Sequence, residues 1–109
     1  YVVIFQSNIK PISMSYQLTS TLGTLEAVID DNCGMKKFNS IVNMLLRELK
    51  VKFLAKQDDS DTVDWHFKYK GHPLTLHYNI YNGVSVFTQN RKDNEAVNEV
   101  AKYLESKVY

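Results

Sequence analysis

The sequence predicts an α+β fold in two layers: an antiparallel sheet of four or more strands, with a meander over about residues 51–89, and two amphipathic helices, about 35–49 and 91–107, packed on one face. Three observations carry this. Apolar residues recur at steps of three and four from Phe38 to Leu49, and again from Val97 to Val108, which is the spacing of a one-sided helix. Between these stretches lie β-branched and aromatic runs separated by turn chemistry. Within those runs stands Asn82-Gly83, the strongest short hairpin signal a sequence offers.

The chain has 109 residues, 44% apolar and 23% charged, which suits one domain with a single core. Residues 1–109 therefore read as a single domain, with 1–20 as an arm or an added edge strand. Thirteen basic against twelve acidic residues leave a formal charge of +1, so no global field draws the protein onto nucleic acid or an anionic membrane. Cys33 has no partner for an internal disulfide and none at metal-ligand spacing, which marks it as an inert thiol in a reducing, cytoplasmic setting. The apolar run Tyr1 to Phe5 is far short of the roughly 20 residues that a membrane span requires. It also lacks the basic n-region of a secretion signal, so neither is expected.

The elements follow in order. Residues 1–6 are β-branched and aromatic enough for a strand, and 14–19 alternate weakly, as a short strand or an extended arm would. In 21–30, Leu22, Leu25, Val28 and Ile29 fit helical spacing, but a strand after Gly23 fits equally, and both readings stay open. The first helix turns Phe38, Ile41, Val42, Leu45, Leu46 and Leu49 to the core and Lys36, Lys37, Asn39, Asn43, Arg47, Glu48 and Lys50 to water. Strands at 51–57, 62–69, 74–80 and 84–89 are parted by DDSD (58–61), KGHP (70–73) and the Asn82-Gly83 turn. In the last helix, Val97, Val100, Ala101, Leu104 and Val108 form the apolar stripe. Asn90 is placed to cap this helix, and Asp93 suits its first turn.

Hydrophobic alternation then sets the registers. A two-residue turn at Asn82-Gly83 would set Val84 and Val86 beside His77 and Asn79. A three-residue loop, Tyr81-Asn82-Gly83 with Gly83 left-handed, instead pairs Ile80 with Val84 and Tyr78 with Val86. The KGHP turn, read with two or four residues, opposes Tyr69 to Leu74, Phe67 to Leu76 and Trp65 to Tyr78. The expected core face is Trp65, Phe67, Tyr69, Leu74, Leu76, Tyr78, Ile80, Val84 and Val86, joined by Val51 and Phe53 if the DDSD loop is odd in length. The other face carries a row of His66, His77 and Phe87, flanked by Asp64, Asn79 and Ser85 on one side and by Lys68, Thr75 and Gln89 on the other. Tyr81 stands near the tip.

Candidate functional residues come from that outer face: His66, His77, Phe87, Tyr81, Asp64 and Lys68. The leading expectation is a non-enzymatic protein-interaction or self-associating module, because Phe87, Tyr81 and Leu54 make the face more apolar than a wet surface needs. A protein partner, or a second copy through an edge strand or this face, is the partner expected. One alternative is a single-stranded nucleic-acid binder stacking bases on Phe87, Tyr81 and the histidines, with Lys68, Lys70 and Arg91 on phosphates. Another is an acid/base or metal-dependent enzyme centred on His66 and His77, with Asp64 as a third ligand. No sequence motif calls for a cofactor. The DDSD stretch lacks the glycine and the twelfth-position Glu of a calcium loop and reads as a solvated turn. Helix, meander, helix is an order found in many small bacterial proteins and, more loosely, in secretion-chaperone-like folds, and architecture alone assigns no activity.

Overall fold

The computed structural model describes residues 15–107, in which six antiparallel strands form one sheet in the order β1-β2-β6-β5-β4-β3. The strands are β1 (Tyr16–Thr19), β2 (Leu25–Asp30), β3 (Lys52–Asp58), β4 (Thr62–Tyr69), β5 (His72–Asn79) and β6 (Gly83–Phe87). Helix α1 (Met35–Arg47) lies between β2 and β3 in the chain, and α2 (Asn94–Ser106) follows β6 after a 3-10 turn at Arg91–Asp93. The expected two-layer α+β architecture is thus present, with the meander extended by two strands. The stretch 21–30, open between helix and strand, supplies β2, and the weakly alternating 14–19 supplies β1. The strand expected at 1–6 lies outside the described residues.

Both helices pack on one face, because a single cluster unites Phe38, Ile41 and Leu45 of α1, Val97, Val100 and Leu104 of α2, and Ala27, Phe67, Leu76, Val84 and Val86 of the strands. Each of these is nearly or fully excluded from water, and burying a side chain of this size contributes about 1.5–3 kcal/mol. Helix α1 ends at Arg47, before the periodicity does. The chain turns through left-handed Lys50 (φ 55°), and Val51 N–H donates back to Leu45 O at 3.2 Å. Helix α2 starts three residues later than expected. Asn90 makes no side-chain cap, and Asp93 takes the N-cap position without capping, its carboxylate being engaged by His72 Nδ1 at 2.6 Å.

Two registers differ from expectation by two residues each. The β4–β5 turn is the two-residue Lys70-Gly71, with φ of 52° and 83°, and it pairs Tyr69 with His72, Phe67 with Leu74 and Trp65 with Leu76. Two successive left-handed residues form the mirror-image turn that matches strand twist. The β5–β6 loop does hold three residues, but they are Ile80, Tyr81 and Asn82, closed by the pair Asn79–Gly83. Asn79 Oδ1 accepts from Tyr81 N–H (2.7 Å) and Asn82 N–H (3.2 Å), which starts the loop at residue 80 and leaves Ile80 51% exposed instead of in the core. Gly83 is left-handed (φ 81°) as expected, and a Cβ there would stand 1.9 Å from Asp30 O of β2.

The loop between paired Asp58 and Val63 has an even number of residues, which by alternation alone would send Phe53 to the outer face. A bulge between Phe53 and Ala55 absorbs the mismatch, so Phe53 opposes Phe67 and packs on the core while Leu54 stays exposed.

Candidate functional site

The face without helices carries two cross-strand rows that run the full width of the sheet. One is Gln57, Asp64, His77, Ser85, Val28 and Tyr16; the other is Ala55, His66, Thr75, Phe87, Glu26 and Leu18. The row His66–His77–Phe87 is therefore corrected. Thr75 separates His66 from Phe87, and His77 opposes Asp64 and Ser85. The two-residue shifts keep each side chain that stays in a strand on its expected face and change only its neighbours, while Ile80 passes into the loop.

Hydrogen bonds join the rows into a polar ladder. His77 Nδ1 donates to Asp64 Oδ1 at 2.5 Å, since a carboxylate only accepts, and this leaves Nε2 as the acceptor of the neutral ring. Gln57 Oε1 takes the His66 Nε2 proton at 3.3 Å, and Nδ1 accepts from the Thr75 hydroxyl at 2.8 Å. Ser85 Oγ donates to Glu26 Oε2 at 2.6 Å. The centre of the ladder is dry: Val28, Thr75 and Ser85 are only 5%, 5% and 4% exposed. Beside Ser85 the His77 and Phe87 rings lie 5.9 Å apart at a 58° tilt.

The expected site residues thus separate. Asp64 and His77 come together, and Phe87 lies against His77. His66 belongs to a different hydrogen-bonded group, Tyr81 is exposed in the hairpin loop, and Lys68 is exposed opposite Pro73. Among the described residues, no three His, Cys, Asp or Glu side chains gather closely enough to hold a metal ion. Asp64, His77 and Ser85 supply the residue types of a nucleophilic triad in one row, yet the serine hydroxyl is turned to Glu26 and no hydrogen bond links it to His77 among the described residues.

Sequence reasoning missed Glu26 and Val28 as neighbours of the site and set Thr75 in the row flanking the histidines. The period-two pattern of LEAVID, with Glu26 and Val28 on one side, was the signal for the first two. It also missed His72, which binds the buried Asp93 at the start of α2. Cys33 sits off this face, against the core. Burial, followed by the nearby Asp30 charge, pushes its thiol up to about 11, so it stays protonated at neutral pH.

Besides a concavity of about 240 Å³ beside Leu18, Glu26 and Phe87, two more open along the ladder. One of about 310 Å³ is lined by Tyr16, Leu18, Glu26, Val28, His77 and Ser85, with the hairpin tip as its rim. The other, of about 290 Å³, lies by Leu54, His66, Thr75 and Gln89. No helix among the described residues is long and apolar enough to cross a membrane.

Residues 14–107 match a family described as a protein of unknown function, DUF3630. Neither a curated protein nor a solved structure matches the chain.

Proposed function

The chain belongs to the DUF3630 family, whose description carries no activity, and we propose from the sheet itself that it is a non-enzymatic interaction module that self-associates by pairing β1 with the β1 of a second copy. The observation that carries this is the contrast between the two strands that form the edges of the sheet among the described residues. Edge β3 bears Lys52, Lys56 and Asp58 and is bent by its bulge, the usual protections against unwanted strand addition. Edge β1 reads Tyr-Gln-Leu-Thr, with no charge, no proline and no bulge in its ladder to β2. Its outer-face side chains, Tyr16 and Leu18, are 37% and 48% exposed.

Symmetry narrows the register. A twofold axis perpendicular to the sheet keeps both open faces on one side, so only residues sharing a face oppose one another. Centring the axis on Gln17 opposes Tyr16 of each copy to Leu18 of the other, giving two aromatic–aliphatic cross-strand pairs. The two six-stranded sheets then run on as one, with all helices on the far side.

Sedimentation velocity across a concentration series tests this. The wild-type chain is expected to show a concentration-dependent dimer, while Leu18→Lys and Gln17→Pro sediment as monomers with an unfolding transition like the parent's. A wild type that stays monomeric, or association that survives both substitutions, overturns the reading. Salt-dependent binding of a single-stranded oligonucleotide, lost in Phe87→Ala, would favour the nucleic-acid alternative in its place.

A further inference from the structure

We infer that the concavity between β1 and the β5–β6 hairpin is a binding site for a small organic cation that carries N–H donors on a short apolar stem, such as an alkylguanidinium or alkylammonium. It is formed within one copy of the chain and does not depend on the pairing of β1.

The floor is dry and neutral, made of Val28 and Ser85. Two acceptors stand over it. Glu26, half-buried, spends Oε2 on the Ser85 hydroxyl at 2.6 Å and forms no ion pair among the described residues, although three lysine–carboxylate pairs occur elsewhere. A carboxylate partly withdrawn from water without a counter-charge attracts a cation more strongly than an exposed one does. His77 is the second acceptor. With Nδ1–H on Asp64 at 2.5 Å, Nε2 is the acceptor that the uncharged ring has left, and the ring lines the concavity.

The walls determine the rest of the ligand. Tyr16 and Leu18 are exposed along one side, where they offer an aromatic face to a cation and an aliphatic surface to its stem. No lysine or arginine is among the lining residues, so the site repels anions through Glu26 and has nothing to offer a phosphate. At about 310 Å³ the space suits a group the size of a butyl cation and not a polymer.

An NMR chemical-shift titration of the full chain tests the assignment with four probes: n-butylguanidinium, tetramethylammonium, n-butanol and butyrate. Butylguanidinium is expected to shift Glu26, His77 and Ser85 saturably in the millimolar range. Tetramethylammonium, which has the charge but no N–H, should bind about ten-fold more weakly, and Glu26→Gln should weaken butylguanidinium by about the same factor, as loss of a charge-assisted hydrogen bond does. Glu99→Gln, remote from the concavity, should leave binding unchanged. Equal binding of butanol or butyrate, no saturable shift with butylguanidinium, or full affinity in a folded Glu26→Gln overturns the assignment. Should Glu26→Gln fail to fold, the four probes on the wild-type chain still decide it.

Discussion

The two faces of the sheet are both dry at their centres and are held by different chemistry. On the covered face, Leu76, Val84 and Val86 meet the apolar stripes of both helices, and shape complementarity is the whole interaction. On the open face, Thr75, Ser85 and Val28 are only 4–5% exposed with no helix of the described residues above them, among Glu26, Phe87 and the two histidines. The lesson is one of tolerance. A packed face loses stability with every methylene removed, whereas a hydrogen-bonded face lets a nearby water replace a lost partner, and so has room to change its chemistry.

Three substitutions can break or sharpen this contrast. The largest effect is expected at Phe38, which meets Trp65 edge-on at 5.4 Å and Tyr78 at 5.8 Å. Phe38→Ala should lower the free energy of unfolding by about 3–5 kcal/mol in urea titrations, enough to unfold a marginal domain. Ser85→Ala, on the other face, removes one donor to a half-buried carboxylate and should cost about 1 kcal/mol in the same assay. A Ser85→Ala loss as large as that of Phe38→Ala would erase the distinction between the faces.

The smallest effect is expected at the exposed pair Lys70–Glu99, where β5's turn meets α2. The Tyr69 hydroxyl and then Lys70 hold the Glu99 carboxyl below its ordinary range, while Tyr69 and Glu99 raise Lys70 above its own. A lowered acid stabilises the fold above its unfolded pKa and loses that contribution as pH falls through the folded value. A raised base stabilises it below its unfolded pKa and loses it as pH rises through the folded value. Glu99→Gln should therefore move the unfolding midpoint slightly at neutral pH and not at all in acid, as solvent screening of an exposed pair dictates. A large shift at neutral pH would mean that the rim of the covered face is less solvated than the exposure of Lys70 and Glu99 implies.

The helices, the meander and the separation of faces were legible in the sequence because each rests on periodicity, and periodicity survives the details of turns. The neighbours within a face were not. A slip of two residues leaves every side chain on the same face, so alternation is blind to it. Only turn chemistry distinguishes the registers: the side chain of Asn79, which binds the loop amides, and the left-handed Lys70, an unusual conformation for that residue type, each moved a hairpin by two positions. Strand β2 was ambiguous since LEAVID is short and its apolar residues fit helical spacing as well as a strand, and with it Glu26 and Val28 stayed hidden from the site. The bulge at Leu54 has no sequence mark beyond the exposed leucine itself.

The placement of β2 beside β6 also sets an order of assembly. Strands β3 to β6 join through hairpins of a few residues each, so their contacts close quickly. The bond between Glu26 and Ser85 spans 59 residues and encloses α1 together with the rest of the meander, so β2 must find an edge that has already formed. The meander is thus expected to form first, and the concavity, built half from β1 and β2, to be completed when those strands arrive. The part of the molecule best suited to hold a ligand is the part whose amide protons should exchange first.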